Sequence, residues 1–171
     1  LNLYYLMKLI VAVDNNYGIG KDNNLPWEHT SDLRYFSKLT KGNKNNCIIM
    51  GNNTYTSIGR YLPYRKNIIL SKSKKPDNIN IFNNINSIFT FINNNNYDDI
   101  WIIGGLQIYD LFIKENLIDE IFITHIDYDY NCDIFFPKLS EDFIEDINYT
   151  HSIYDNSVKL TYKKYIKSSN L

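Results

Sequence analysis

Apolar residues recur along this chain in two rhythms. Short continuous runs rich in isoleucine, such as Ile48-Ile49-Met50 and Trp101-Ile102-Ile103, alternate with stretches where apolar positions return every three or four residues. The first rhythm predicts strands at 8–13, 47–50, 67–70, 78–82, 100–103 and 120–125, with longer ones at 143–154 and 158–166. The second predicts helices at 31–40, 54–58, 87–93 and 106–115. Strands that are apolar throughout are buried on both faces, the pattern of a parallel sheet between layers of helices. Only Asp155-Asn156-Ser157, a turn sequence, separates the last two strands, so they should pair as an antiparallel hairpin. The expected fold is α/β: a single domain with a mainly parallel twisted central sheet of about eight strands, a C-terminal antiparallel hairpin and about four flanking helices.

Composition adds a bias and several exclusions. The 171 residues include 26 Ile, 25 Asn, 15 Lys and 15 Tyr, types that share A/T-rich codons, but only one Ala and three Arg. Asparagine abundance is therefore read first as a nucleotide-level habit. At 44% hydrophobic and 15% aromatic the chain can bury a real core, and its length suits one domain. A net charge of −1 carries no footprint for nucleic acid or an anionic membrane. Cys47 and Cys132 stand far apart with no CxxC spacing, which fits reduced thiols in a cytoplasmic protein. No run approaches the roughly 20 apolar residues of a membrane span. Residues 1–6, ahead of Met7, read as an N-terminal extension, 7–166 as the domain and 167–171 as a polar tail.

Ligands of open α/β sheets bind beyond the carboxyl ends of the strands. Two expected strands end there in glycine followed by a helix: Gly51-Asn52-Asn53-Thr54, and Gly104-Gly105. Backbone N–H groups at such a junction approach a phosphate, and the helix dipole favours its charge. On residue chemistry alone a pair of these junctions is evenly balanced between a dinucleotide site and ordinary tight turns. Asp32, Phe36 and Leu39 share one face of the 31–40 helix, with Leu33 alongside, so a carboxylate sits among large apolar groups. By itself that aspartate is as well explained by the dipole of its own helix. Pro26-Trp27 lies just upstream, and Arg65, one of three arginines, suits bidentate capture of a carboxylate. Asp127-x-Asp129-x-Asn131 imitates the start of a calcium loop, but Cys132 and Lys138 occupy its sixth and twelfth positions, so no metal site is expected.

Taken in order, Ile10-Val-Ala12-Val, Gly18-Ile-Gly20, Leu25-Pro-Trp27, Asp32-Leu-x-x-Phe36, Ile49-Met-Gly51-x-x-Thr54-x-x-Ser57-Ile-Gly59-Arg60-x-Leu62-Pro63, Arg65-Lys-Asn-Ile-Ile-Leu70-Ser71, Ile103-Gly104-Gly105, Tyr109 and Thr124-His-Ile-Asp127 form a specific set. The set resembles dihydrofolate reductase, from about Met7 to Ile166. The resemblance implies hydride transfer from NADPH, with NADH as the alternative donor, to dihydrofolate, and methotrexate-type antifolates as inhibitors. It implies that Asp32 holds the pterin and helps protonate N5, with Trp27 and Thr124 ordering a water and the carboxylate. Ile10, Ala12, Leu25, Leu33, Phe36, Ile58, Leu62, Ile103 and Tyr109 would line the substrate pocket, and Arg65 would hold the glutamate α-carboxylate. On the cofactor side it implies Ala12, Ile19, Gly20, Gly51, Asn52, Asn53, Thr54, Leu70, Ser71, Lys72, Ile103, Gly104, Gly105, Leu106, Gln107 and Ile108. Residues 15–25 correspond to a mobile loop closing over the nicotinamide, with Gly18 and Gly20 supplying its freedom.

Five positions depart from that pattern. Asn52 and Asn53 stand where basic residues usually grip the 2′-phosphate, leaving Lys72 as substitute cation. Leu106 replaces a third glycine of some members, Tyr64 a frequent glycine, and Cys132 a loop glycine of some bacterial members. Other readings are a related nicotinamide-dependent reductase of a pyrimidine intermediate, which leaves Asp32 and Arg65 unexplained, and a folate- or nucleotide-binding module without turnover. A monomer without nucleic-acid or membrane partners is expected, either alone or as the reductase part of a fusion with thymidylate synthase.

Overall fold

A computed structural model describes residues 5–171. Its elements run β1 (Met7–Val13), β2 (Gly18–Gly20), α1 (Thr30–Lys41), β3 (Asn46–Gly51), α2 (Asn52–Ile58), β4 (Arg65–Leu70), β5 (Ile81–Phe82), α3 (Ile85–Asn93), β6 (Ile100–Gly104), α4 (Leu106–Lys114), β7 (Glu120–Ile126), β8 (Ile134–Phe135), β9 (Phe143–Glu145), β10 (His151–Asp155) and β11 (Val158–Lys167). The main sheet has the order β10-β11-β7-β1-β6-β3-β4-β5, with β9 also on β11. Its strands are parallel from β7 to β5, and β11 runs antiparallel to its neighbours, so the expected architecture holds.

Strand alternation divides the core between the two faces of this sheet. Cys47 and Ile49 of β3 pack with Ile88, Phe89 and Ile92 of α3 and Ile108 and Phe112 of α4. Ile48 and Met50 point the other way, toward Phe36 and Leu39 of α1 and Tyr55 and Ile58 of α2. Each helix therefore covers one face with its apolar stripe. Gly59, at φ +78, ends α2 in the left-handed conformation that residues with a Cβ avoid.

Three segments differ from the expected elements. The single strand expected at 143–154 is two, because Asp146–Thr150 leaves the edge of β11: Asp146 N–H bonds Lys164 O at 2.8 Å and Tyr149 N–H folds back to Asp146 O at 3.0 Å. That turn sends Tyr149 inward, where its hydroxyl meets that of Tyr35 at 2.6 Å. The strand at 78–82 shrinks to Ile81–Phe82, since Asp77 Oδ1 collects the N–H groups of Ile79, Asn80 and Ile81 into a loop. Strands β2 and β8, which pair with each other, have no counterpart among the expected ones. At the chain ends, residues 1–4 of the expected extension lie outside the described residues, while Tyr5 donates to Asn95 O at 2.7 Å. The expected polar tail turns as a 3-10 helix at Ser168–Asn170, with Ser168 N–H on Asp142 O at 2.7 Å.

Candidate active site

Asp32 lies in the first turn of α1 and is half-buried. Desolvation raises its carboxyl above the ordinary aspartate range; hydrogen bonding from Thr124 and the charge of His29 oppose this, and Asp155 adds to it. Thr124 is buried in mid-β7, in register with Ala12 of β1 and Tyr162 of β11. Trp27 packs in the same cluster as Ala12, Tyr35 and Tyr162, and its buried indole N–H has no protein acceptor among the described residues. Two ionisable groups, His29 and Asp155, act on the aspartate through their charges. His29 is buried, bonds the Tyr130 hydroxyl at 2.8 Å and lies 3.7 Å from Asp155. Asp155, held below its usual range by the hydroxyl and N–H of Ser31, ties the β10–β11 hairpin to the start of α1.

Arg65 stands at the other end of α1. Its guanidinium donates to Thr40 Oγ1 at 3.0 Å and to Pro63 O at 2.9 Å, leaving three of five N–H donors for a ligand. Thr40 is eight residues beyond Asp32 on the same helix, which at 1.5 Å per residue separates them by about 12 Å. A ligand meeting both must be elongated, anionic at one end and rich in N–H groups at the other. Leu33 and Phe36 lie between these ends on α1, and Leu33 is exposed. Across the chain, Leu25 is exposed too, while Ile58 and Leu62 are half-buried against the cluster that holds Ile10 and Ile103.

The two strand–glycine–helix junctions come together because β3 and β6 are neighbours, with Met50 opposite Gly104. Neither α2 nor α4 has a side-chain cap, so the open N–H groups of both first turns gather at this point. A Cβ on Gly51 would lie 3.1 Å from Ile108 Cγ1, one on Gly105 3.6 Å from Thr54 Oγ1, and one on Gly104 3.0 Å from the Tyr109 hydroxyl. That hydroxyl donates to the carbonyls of Ile10 and Ile103, at 2.8 and 3.0 Å, bridging β1 and β6. Uncapped N–H groups and space that a Cβ would fill fit the pyrophosphate of a dinucleotide. Leu106 is half-buried and Gln107 exposed at the start of α4. Beyond β4, buried Ser71 accepts Lys74 N–H at 3.2 Å, and Lys72 is exposed. Lys74 lies over the Tyr55 ring at 5.5 Å, adding a cation near α2 that the sequence reading passed over.

The family model for dihydrofolate reductase matches residues 6–167. The chain belongs to the dihydrofolate reductase family. It is 37% identical over 138 residues to the dihydrofolate reductase of Staphylococcus haemolyticus, covering 80% of this chain and 79% of that one. To the dihydrofolate reductase of Drosophila melanogaster it is 34% identical over 177 residues, 94% of this chain and 97% of that one. A bifunctional dihydrofolate reductase-thymidylate synthase of Daucus carota is 30% identical over 179 residues, 95% of this chain but 34% of that protein.

Within this dihydrofolate reductase family member, residues 15–25 are braced by the residues on either side of β8. Gly20 O accepts Asp133 N–H, Tyr17 O accepts Phe136 N–H, and Asp133 Oδ2 accepts Asp22 N–H at 3.0 Å. Asp14 is buried, which raises its carboxyl, yet the N–H groups of Gly18, Asn16 and Tyr130 outweigh this and hold it low. Gly18 and Gly20 lie in a strand here. Gly18 is glycine because a Cβ there would stand 2.3 Å from Cys132 Cβ, a steric reason rather than the freedom expected of it. Burial and the neighbouring Asp14 push the Cys132 thiol up to about 11, so it stays protonated.

Sequence reasoning missed Asn67. It is buried in β4, accepts Leu62 N–H and donates to the carbonyls of Leu62 and Arg65, each at 2.9 Å. It thereby staples the loop that presents Arg65. In a chain with 25 asparagines, nothing in the residue type marked this one.

Proposed function

We propose that the chain reduces 7,8-dihydrofolate to 5,6,7,8-tetrahydrofolate with NADPH as donor, and so supports one-carbon metabolism and thymidylate synthesis. The observation that carries this reading is the pairing of a desolvated carboxylate, Asp32, with the guanidinium of Arg65, which reaches α1 from β4 at Thr40, about 12 Å farther along the helix. Family membership agrees with it.

When bound, the nicotinamide supplies a hydride from its C4 to C6 of the pterin. The chain contributes position and proton control. Asp32 accepts hydrogen bonds from the pterin N3 and 2-amino group, and its raised affinity for a proton suits it, with water, to protonating N5. Thr124 orients the carboxylate, and the Trp27 N–H is free to hold a water beside it. Ala12, Ile10 and Ile103 form the floor where pterin and nicotinamide meet, while Leu25, Leu33, Phe36, Ile58 and Leu62 exclude water along the aminobenzoyl group. Tyr109 fixes the β1 and β6 carbonyls that border this floor. Arg65 takes the glutamate α-carboxylate through its remaining donors.

Gly104, Gly105, Leu106, Gln107 and Ile108 at one helix start, with Gly51, Asn52, Asn53 and Thr54 at the other, hold the pyrophosphate and adenosine. Leu70, Ser71 and Lys72 border the 2′-phosphate, where Lys72 supplies the charge that Asn52 and Asn53 lack. Ile19 and Gly20 close over the nicotinamide. The test is loss of NADPH absorbance with dihydrofolate present, with and without methotrexate. Oxidation that needs dihydrofolate and stops with the inhibitor is expected; oxidation independent of either, or none, rejects the reading.

A further inference from the structure

Asp32 has a second carboxylate for company. Asp155, at the end of β10, accepts the N–H and the hydroxyl of Ser31 in the first turn of α1. It thereby caps the helix from another element, since His29, at the N-cap position, makes no cap hydrogen bond. Asp32 follows Ser31, so two acids meet at one helix end. The helix dipole favours both, but each disfavours ionisation of the other.

His29 belongs to the same turn. It stands three positions before Asp32, the spacing at which the two side chains of a capping box meet. Its ring is buried. Nε2 meets the Tyr130 hydroxyl at 2.8 Å, and Nδ1 lies 3.7 Å from Asp155 Oδ1 with no hydrogen-bond partner among the described residues. Space filling does not explain a histidine here, because an aliphatic side chain would fill the site without orphaning a polar atom. A bare Nδ1 lone pair would be repelled by the carboxylate, so Nδ1 carries a proton. The Tyr130 hydroxyl then serves both states of the ring: it donates to Nε2 of the neutral imidazole and accepts from the imidazolium.

The other titratable neighbours do not supply a competing positive charge. Tyr35 of α1 and Tyr162 of β11 adjoin Asp32, and Tyr149 bonds Tyr35; burial raises all three phenols, which stay protonated. His151 stacks on Tyr162 at 5.1 Å but is exposed, as is Glu28. On the far side of His29, Tyr130 adjoins Tyr128 at 4.6 Å and gives its N–H to Asp14 at 3.1 Å.

We propose that His29 and Asp155 form a positioning pair of opposite charges beside Asp32, in which the imidazolium sets the pH range over which Asp32 delivers its proton. This rests on the role of Asp32 given above. Asp155 holds the ring and Ser31 in place, and the charge of the ring offsets the burden that a second carboxylate puts on Asp32.

The experiment titrates the Asp32 carboxyl by NMR of its labelled carboxyl carbon in the ligand-free chain, with Asp32→Asn identifying the signal. The pH profile of kcat/KM for dihydrofolate is recorded alongside. His29→Gln should move both midpoints up by about one pH unit, the size expected of one nearby charge in a partly hydrated site. His29→Leu, which packs without a polar atom, should give the same rise if glutamine disturbs the fold. Adding Asp155→Asn to His29→Gln should bring the midpoints back down, because the remaining carboxylate charge is then gone; a merely structural role would give no such return. Unchanged midpoints in both His29 variants overturn the proposal, and so does a double variant that shows no return. A wild type that fails to reduce dihydrofolate would instead reject the substrate reading, and the carboxyl titration would still test the pair.

Discussion

Replacing Asn67 by leucine, which keeps the volume and suits a strand, tests whether the loop it staples sets substrate affinity. The change removes three hydrogen bonds of 2.9 Å, one accepted from Leu62 N–H and two donated to the carbonyls of Leu62 and Arg65. At a net ~0.5–1.5 kcal/mol each, and with the freed backbone groups near enough to the surface to regain water, the loss of stability should be about 2–3 kcal/mol. Pro63, whose carbonyl holds Arg65 Nε, belongs to the same loop and loses its register with it. Arg65 must then be ordered by the ligand, at a cost of ~0.5–1.5 kcal/mol for one long side chain, which corresponds to a roughly three- to tenfold higher KM for dihydrofolate. Turnover number and cofactor KM should not change, because Asp32 and the two glycine junctions lie on other elements. Urea denaturation gives the first quantity and steady-state kinetics the second. A destabilised variant with unchanged KM, or one whose loss falls on kcat, would refute the link from Asn67 to Arg65.

Other consequences follow from the same geometry. Burial raises the Asp32 carboxyl, so ionising it opposes folding: stability should decline as pH rises from about 4, the ordinary aspartate value, through the raised folded one. Asp32→Asn should remove that decline, with denaturation midpoints of variant and wild type converging in acid and the variant more stable at neutral pH; equal midpoints at neutral pH would contradict the raised value. Gly104→Ala combines φ +117 with a Cβ 3.0 Å from the Tyr109 hydroxyl. It should cost about 1–3 kcal/mol in backbone strain alone, lowering Tm by several degrees, and weaken cofactor binding; a Tm within one degree of wild type would refute the steric reading. Lys72→Ala should weaken NADPH binding roughly three- to tenfold and NADH binding hardly at all, as measured by fluorescence titration; equal effects would place the 2′-phosphate elsewhere.

The parts of the fold written in long apolar runs were legible in the sequence. Ile48-Ile49-Met50 and Trp101-Ile102-Ile103 are central strands because only burial on both faces tolerates such runs, and Gly51 and Gly104 mark where they stop. Strands β2 and β8 were not legible: Gly18-Ile19-Gly20 and Ile134-Phe135 are too short to show a period, and their pairing depends on contacts over a hundred residues apart. The 143–154 segment read as one strand because its apolar residues do not reveal that Asp146 turns the chain. Among candidate site residues, Trp27 and Arg65 are rare types, and Asp32 stands at a helical spacing from Phe36 and Leu39. Asn67 and Asp14 act through backbone groups, and Thr40 through the Arg65 guanidinium, that only the folded chain brings near. The stretch from Leu33 to Pro76, which holds ten of the 18 Lys and Arg and no Asp or Glu, was readable in principle but vanished in a net charge of −1.

The central claim is that Asp32 controls the proton delivered to the pterin, and the pH dependence of kcat/KM for dihydrofolate tests it most directly. In the wild type the rate should hold through acid and fall as pH rises past the raised Asp32 value. In Asp32→Asn it should be nearly lost at neutral pH and recover about tenfold per unit as pH drops, because the substrate then arrives already protonated. A variant that matches the wild type at neutral pH, or that shows no recovery in acid, would contradict the account.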